Sequence, residues 1–258
     1  MPVVRLTIEY DGTAYHGWQR QPAVATIQGT IESAIHRICG EQADVVGSGR
    51  TDAGVHAAGQ TAHFGTRASL TPEAWCRALN AVLPADVKVV AADTVPETFH
   101  ARYSAVRKRY RYRILNRSAP SPLERRTAWH VPHRLSLSAM RRAAASLIGT
   151  HDFRAFEAAD PSHGATRDTR CRLTHCSIRR QGDIVIVEIE SNRFLKYMVR
   201  NIVGTLVEVG LARRPAAETA QILRSRDRRH AGVTAPPHGL TLIAVRYGAS
   251  SRPGRQRS

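Results

Sequence analysis

GSGRTDAGVH, residues 47–56, is a glycine-rich stretch with one carboxylate at its centre, that of Asp52. Gly59-Gln60 and the strand-like TAHF (61–64) follow it. Three glycines around a Gly-Arg-Thr-Asp core are typical of a loop whose backbone adopts conformations that other residues disfavour. Such a loop presents Asp52 to its surroundings. On local chemistry alone, Asp52 could equally bond the backbone amides of its own turn, because aspartate and glycine are common turn residues.

The composition indicates a basic protein with a nucleic-acid partner. The chain has 258 residues, with 38 lysines and arginines against 21 acidic residues, a net charge of +17 and a pI near 11.0. All but three of the basic residues are arginines; the lysines are Lys88, Lys108 and Lys196. Arginine suits phosphate and stacked bases. A GC-rich genome would explain the preference for arginine over lysine, but not the surplus of positive charge.

The cysteines and the N-terminus predict a cytoplasmic protein. Four cysteines lack the CxxC spacing of a zinc site and the density of a disulfide scaffold, so we expect buried or free thiols. Met1-Pro2-Val3-Val4-Arg5 does not have the pattern of a signal peptide. No apolar run reaches the ~18 residues of a membrane span.

The first part of the chain predicts a ferredoxin-like α/β domain over residues 1–104. Its length allows a sizeable core, and two compact domains of about 100 to 150 residues are the expected organisation. The pattern predicts strand, helix, strand, loop, strand, helix and strand in chain order; the loop is the glycine-rich stretch, and the strand before it has no assigned range, unlike the other five strands and helices. Their predicted ranges are 3–10, 27–38 after the cap Thr26, 59–66, 72–83 after Thr71, and 86–95.

The second part, residues 105–248, repeats this theme. Residues 105–116 alternate, with Tyr110, Tyr112 and Ile114 on one face and four arginines on the other: Arg107, Arg109, Arg111 and Arg113. Such a strand suits RNA, with arginines on phosphates and tyrosines stacking, but basic solvent-facing residues over an apolar core give the same alternation. The other predictions are a loop at 117–135, helices at 137–148, 194–210 and 215–224, strands at 170–179 and 183–191, a mobile segment at 158–169 and a disordered basic tail at 249–258.

Arg200 stands at the edge of the apolar arc of the helix predicted at 194–210. A buried guanidinium needs an acceptor, because an unpaired buried charge costs several kcal/mol. The alternative is that Arg200 extends to solvent. Trp18, in the polar and aromatic stretch YHGWQRQ (15–21), likewise has two interpretations: it stacks on bases, or it anchors a surface loop in the core.

Four motifs together resemble the tRNA pseudouridine synthase A family. They are GRTDAGVHAxGQ (49–60), YDGTxYxGWQxQ (10–21), KRYRY (108–112) and FLxxMVRNIVG (194–204). The first match is long and uninterrupted, and the resemblance extends over nearly the whole chain. One position departs from the family's usual pattern: Arg193 stands where the family usually has a small residue.

The resemblance implies the pseudouridine synthase fold, an α+β architecture of two ferredoxin-like halves with a largely antiparallel sheet and a central cleft. It implies that Asp52 is catalytic, that Arg200 pairs with Asp52, and that Tyr110 packs on the target base. Arg50 would fill the gap left by that base or hold a phosphate. Further substrate-binding residues implied by the motifs are Thr51, His56, Gln60, Trp18 and Gln19.

The implied reaction is the isomerisation of uridine to pseudouridine in the anticodon arm of tRNA, at positions 38 to 40 of the usual tRNA numbering, by a homodimer that needs no cofactor. Two other classes remain open on the residues alone. A metal-dependent hydrolase would use Asp52, His56 and His63, although the chain lacks an HExxH-like helical pair. A non-catalytic RNA-binding or chaperone module would have the same charge and the same Tyr/Arg strand.

Overall fold

The structure is a computed structural model that describes residues 1–158 and 168–248. The segment predicted to be mobile, 158–169, lies mostly outside the described residues, and the basic tail, 249–258, lies entirely outside them. The chain separates into two compact units, Met1–Lys108 together with the chain from Leu242 onward, and Arg109–Thr241. The domains predicted from sequence, 1–104 and 105–248, divide four residues earlier and place the last strand in the second half.

The first unit has the predicted ferredoxin-like order of elements. Its strands and helices are β1 (Val3–Tyr10), α1 (Ile27–Cys39), β2 (Val46–Gly47), β3 (His56–Gly65), α2 (Pro72–Val82) and β4 (Val87–Val95). The strand order is β4-β1-β3, and β2 pairs with β3, all antiparallel. The short β2 is the strand that was predicted, without a range, before the loop. Its two residues matter because β2 and β3 flank the glycine-rich loop.

The helices of this unit begin and end where local chemistry predicts. The Thr26 side chain accepts from the Gly29 amide at the start of α1, and Gly40 ends the helix in the left-handed region at φ 76°. Thr71 caps α2 in the same way, with proline in the first turn. The apolar face of α1, which includes Ile27, Ile31 and Ile35, is fully buried.

Both neighbours of β1 carry an extra residue near Ile8. On β3, Ile8 pairs with Gln60 but Tyr10 pairs with Ala57, so one more residue is accommodated on β3 than on β1. On β4, Thr7 pairs with Ala91 and Ile8 with Val89, which leaves Val90 without a partner in the register. Such bulges bend a strand and re-aim its side chains. The bulge on β3 lies directly after the glycine-rich loop.

The second unit holds the remaining elements. They are β5 (Ala105–Leu115, from Arg109 onward in this unit), β6 (Trp129–His130), α3 (Leu137–Ala145), β7 (Gly149–Asp152), β8 (Arg170–Gln181), β9 (Ile184–Ser191), α4 (Met198–Gly210) and α5 (Glu218–Ser225). The strand order is β5-β9-β8-β7, and α3 packs against β8 and α4. The last strand of the described residues is β10 (Leu240–Tyr247), which belongs to the first unit from Leu242 onward and lies beside β3.

Three predictions for this part need correction. The segment 117–135 is not only loop, since Trp129–His130 pairs in parallel with β5. The strand β7 was not predicted. The helix predicted from Phe194 begins only at Met198, because Tyr197 takes a left-handed conformation at φ 60° that a helix cannot continue through. The predicted mixture of helices with a largely antiparallel sheet is confirmed: β1 pairs antiparallel with β3 and β4, β2 with β3, and β8 with β7 and β9, whereas β5 and β6 pair in parallel. No helix in the described ranges is long and apolar enough to cross a membrane.

Candidate active-site residues

The Asp52 loop is fastened to the first unit through its backbone. The Trp18 amide donates to the Thr51 carbonyl over 3.0 Å, and the Gly54 amide donates to the Tyr15 carbonyl over 3.3 Å. Within the loop, the Val55 amide donates to the Asp52 carbonyl over 3.1 Å. Asp52 itself is half-buried. The backbone on both sides of the carboxylate is therefore held by the segment that follows β1.

Gln60 ties the start of the loop to β3. Its side-chain oxygen accepts from the Ser48 hydroxyl at 2.7 Å and from the Thr61 amide at 3.1 Å, while its side-chain nitrogen donates to the Gly49 carbonyl at 2.9 Å. Gln60 is fully buried. Because buried amides are costly without partners, these bonds both satisfy Gln60 and fix the loop.

Tyr10, the last residue of β1, supports the residue next to Asp52. Its hydroxyl lies 2.8 Å from the Thr51 hydroxyl, and both side chains are buried. Burial raises the pKa of Tyr10 to about 12, although hydrogen bonds with Thr51 and Gln60 act in the opposite direction. The phenol is therefore neutral near pH 7 and can donate to Thr51.

Two glycines before α1 make room for the loop. A Cβ on Gly17 would lie 2.5 Å from the Thr51 carbonyl oxygen, and Gly17 has φ +89°. A Cβ on Gly12 would collide with the Val55 carbonyl oxygen. The 10–21 motif therefore supports the loop by close backbone approach, in addition to any contact that its side chains make.

His56, at the start of β3, is buried against the turn after β1. The Gly12 amide donates to His56 Nδ1 over 3.1 Å, and Asp11 Oδ1 lies 3.0 Å from the same nitrogen. A ring that accepts from Gly12 carries its proton on Nε2, whereas a ring protonated on Nδ1 donates to Asp11. Among residues 1–158 and 168–248, no group of three or more His, Cys, Asp or Glu side chains is placed to hold a metal ion.

Trp18 is an anchor in the core. It is 2 % exposed, and its ring lies against Gly47, where a Cβ would be 2.5 Å from the indole. The interpretation of Trp18 as a base-stacking residue therefore gives way to the alternative. The neighbouring Gln19 is half-buried and donates to Gln28 over 2.9 Å, and Arg50 is exposed.

Tyr110 and the arginines of β5 lie in the second unit. Tyr110 is 8 % exposed and packs edge-to-face on Phe194, with ring centroids 5.1 Å apart. Three of the four arginines are paired with carboxylates of the same unit: Arg109 with Glu190, Arg111 with Glu188 and Arg113 with Glu124. The phosphate-binding interpretation is therefore not supported for these three arginines, whose charges are paired with carboxylates of β9 and of the segment after β5.

Arg200, in the first turn of α4, has a backbone acceptor. Its Nε donates to the Ala235 carbonyl over 2.7 Å, and the Ala235 amide donates back to the Arg200 carbonyl over 3.1 Å. Its guanidinium lies 4.6 Å from the centroid of the Tyr197 ring. These contacts hold the side chain in a defined orientation, so the alternative of a side chain extended freely into solvent is wrong.

Comparison with known proteins identifies the family. A family model described as tRNA pseudouridine synthase matches residues 6–104 and 143–248, which includes the whole Asp52 loop, Arg200 and both of its neighbours on α4. The chain belongs to this family. It is 48% identical over 244 residues to the tRNA pseudouridine synthase A of Thermoanaerobacter sp. (strain X514), covering 95% of this chain and 99% of the relative.

Two further relatives carry the same name. The tRNA pseudouridine synthase A of Myxococcus xanthus is 49% identical over 248 residues, covering 96% of this chain and 92% of the relative. That of Syntrophotalea carbinolica is 47% identical over 247 residues, covering 96% of this chain and 97% of the relative. The resemblance seen in the sequence motifs is confirmed at the level of the pseudouridine synthase family.

The predicted site residues of this pseudouridine synthase fall into two groups. Seven lie in the first unit: Trp18, Gln19, Arg50, Thr51, Asp52, His56 and Gln60. Tyr110 and Arg200 lie in the second unit. The pairing of Arg200 with Asp52 and the packing of Tyr110 on the target base stay predictions. Gln60, Thr51, His56 and Trp18 are buried and bonded or packed within the first unit, so the structure supports a role in holding the loop for each of them.

Three residues that hold the loop were missed from sequence. Tyr10 and Ser48 carry hydroxyls that bond Thr51 and Gln60. Tyr10 opens the 10–21 motif and Ser48 lies in the 47–56 stretch, but neither hydroxyl has a sequence signal that indicates its role. Lys108, whose Nζ donates to the Ser48 carbonyl over 2.5 Å, does have one. It is one of three lysines in an arginine-rich chain and opens the KRYRY motif.

Proposed function

We propose that this protein isomerises uridine to pseudouridine in the anticodon arm of tRNA, at positions 38 to 40 of the usual tRNA numbering. The observation that carries the proposal is that the family model matches the whole Asp52 loop, in which Asp52 has the one carboxylate. The net charge of +17 supports an RNA substrate.

The reaction breaks the bond from the ribose C1′ to uracil N1, turns the base, and joins C1′ to C5. The proton on C5 then leaves and N1 gains one, so that atoms and electrons balance without a redox partner. Asp52 is proposed to start the reaction, either as a nucleophile on C1′ or as a base that removes the 2′ proton. Both roles need an ionised and fixed carboxylate, and the loop bonds to Trp18 and Gln60 support the second requirement.

Arg200 is the proposed partner of Asp52. A guanidinium beside a carboxylate favours the ionised form and fixes its direction. The bond of Arg200 to Ala235 and its position over Tyr197 support this role, since they restrict the side chain before substrate binds. Tyr110 is proposed to pack on the target uracil, with Phe194 behind its ring.

A uracil in a stem reaches Asp52 only when it is flipped out of the helix, which costs a few kcal/mol. Arg50, exposed two residues before Asp52, is proposed to fill the gap or to hold a phosphate. We also propose a cytoplasmic homodimer with tRNA lying across both subunits. Sedimentation at a concentration that gives full activity tests the dimer, and a monomer there would refute it.

The decisive experiment incubates the protein with an unmodified tRNA transcript, without added metal, and maps pseudouridine along the product. We expect pseudouridine at one or more of positions 38 to 40. Tight tRNA binding without any product would instead identify a non-catalytic RNA-binding module. Product that forms only after a divalent ion is added would favour metal-dependent chemistry.

A further inference from the structure

Lys108 carries a charge that no carboxylate of the described residues neutralises. Its ammonium donates to the Ser48 carbonyl, at the start of the Asp52 loop, and a Cβ on Gly49 would lie 2.8 Å from Nζ. Within the part of the chain that the structure describes, no carboxylate lies at ion-pair distance from Lys108. An ammonium has three N–H donors, so two of them are available for another acceptor.

A second cation lies in the turn before β5, which contacts the strand pair that leads to Ser48: the Ala101 amide donates to His63, and His63 pairs with Val46. Arg102 is exposed, and in the described ranges it too has no carboxylate partner. Burial and the nearby Arg102 charge together lower the pKa of Lys108 to about 8. Two cations that act on each other without a counterion repel, and a bound anion reduces that repulsion. Arg109, the next residue along β5, illustrates the contrast because it is paired with Glu190.

An aromatic platform adjoins these cations. The ring of Tyr103 is 78 % exposed and lies on the ring of His100, with centroids 4.3 Å apart and planes at 33°. The Arg102 guanidinium is 5.8 Å from the Tyr103 centroid. His100 Nδ1 accepts from the amides of Arg102 and Tyr103, so the platform is fixed in the absence of a ligand.

We propose that Lys108, Arg102 and Tyr103 form a nucleotide subsite beside the Asp52 loop, in which the two cations hold a backbone phosphate of bound RNA and Tyr103 stacks on an unpaired base. The inference rests on the proposed function, whose substrate is tRNA. A phosphodiester meets both cations through its two free oxygens. An exposed ring next to arginine is the usual surface for an unpaired base. Because Lys108 also bonds Ser48, a bound phosphate is coupled to the position of the loop.

The subsite has a pH signature. A phosphate next to Lys108 favours its charged form, so Lys108 takes up a proton when RNA binds at a pH above about 8. The affinity for RNA therefore falls as pH rises from 7 to 9. Arg102 is the charged group that acts on Lys108. Lys108→Gln removes this part of the pH dependence.

The test measures binding of full-length unmodified tRNA by fluorescence anisotropy between 50 and 300 mM salt. The variants are Arg102→Gln, Lys108→Gln, Tyr103→Ala and Tyr103→Phe. Lys88→Gln is the matched control, since Lys88 also lies in the first unit and donates to backbone carbonyls, those of Asn80 and Leu83. Arg102→Gln leaves every described bond of the loop intact, which separates loss of the subsite from disturbance of the loop.

We expect Arg102→Gln and Lys108→Gln each to weaken binding about fivefold or more and to reduce the slope of log affinity against log salt by about 1. Tyr103→Ala should weaken binding by about fivefold or more, and Tyr103→Phe should not. Losses no greater than that of Lys88→Gln would overturn the subsite. A Tyr103→Ala protein that keeps its tRNA affinity but changes its sedimentation coefficient would make this a contact between copies instead.

These outcomes are separate from the fate of the proposed function. If the wild-type protein forms no pseudouridine, the proposed function fails. If the wild-type protein forms pseudouridine and the variants bind tRNA like Lys88→Gln, only the subsite fails.

Discussion

The Ser48 hydroxyl donates a 2.7 Å hydrogen bond to the side-chain oxygen of Gln60, which connects the start of the Asp52 loop to the strand that follows it. Gln60→Ala removes this bond and those to Gly49 and Thr61, and it leaves a cavity in the core. We expect a loss of about 2 to 4 kcal/mol in the free energy of unfolding. Urea unfolding measures it, with half-buried Gln19→Ala as the control, for which a loss under about 1 kcal/mol is expected. Equal losses in the two variants would contradict the role of Gln60.

Asp52→Asn keeps the shape of the side chain and removes its charge. We expect no detectable pseudouridine and a tRNA affinity within several-fold of wild type, because the carboxylate acts in the chemistry whereas the arginines hold the RNA. Single-turnover assays and binding titrations measure the two quantities. A variant that retains one-tenth of the wild-type rate would disprove the catalytic assignment.

Gly17→Ala tests the close approach of the 10–21 motif to the loop. Gly17 has φ +89°, and the added Cβ would lie 2.5 Å from the Thr51 carbonyl oxygen. We expect a loss of more than about 2 kcal/mol in stability together with a lower rate of product formation. Gly182→Ala is the matched control, because Gly182 has φ +58° but nothing within 4 Å of its Cβ position. Its expected cost is the backbone strain alone, about 1 kcal/mol. Similar melting temperatures for both variants would show that the contact with Thr51 relaxes.

Binding of tRNA should depend strongly on salt. The net charge of +17 implies several phosphate contacts, and each releases counterions. We expect the affinity to fall about a hundredfold or more between 50 and 200 mM salt. Anisotropy titrations at constant pH measure this fall. A flat response would rule out a broad phosphate-binding surface.

Tyr110→Phe separates the ring of Tyr110 from its hydroxyl. The phenylalanine ring keeps the edge-to-face packing on Phe194, so tRNA binding should be preserved. If the hydroxyl takes the C5 proton, turnover becomes slow and the rejoined intermediate accumulates. This is the outcome that we expect, since Asp52 is engaged at the sugar. Single-turnover kinetics on full-length tRNA decide it: a rate within about threefold of wild type would show that the hydroxyl is not the base. Tyr110→Ala should lose roughly 1 to 3 kcal/mol more, through lost stacking.

Local signals account for what the sequence predicted well. The ends of α1 follow from the side chain of Thr26 and from glycine at residue 40, and the order of strands and helices in the first unit follows from the periodicity. These features depend on residues within a few positions of each other. The loop of Asp52 was predicted for the same reason, because its glycines lie within a few residues of one another.

Features that depend on distant residues were missed or misjudged. The arginines of β5 looked available for phosphates, yet the carboxylates that pair with Arg109 and Arg111, Glu190 and Glu188, come from β9. The strand before the loop was predicted without a range, because β2 has only two residues and depends on pairing with His63 and Ala62. The late start of α4 depends on the left-handed conformation of Tyr197. Because this conformation is rare for tyrosine, the apolar periodicity of the segment predicts a helix that continues through it.

The extra residue on β3 restricts how the length of the chain between Asp52 and Gln60 can vary. Side chains alternate between the two faces of a strand, so one added residue reverses the parity of every position before it. For the residues of β3 before Gln60, the reversal sets which face of the strand carries the His56 side chain. It therefore also sets the side from which the chain arrives from Asp52. Exposed Ala58 can therefore change its side chain freely, whereas deleting it would turn the loop to the opposite face. The count of residues here, more than their identity, sets the direction of the carboxylate.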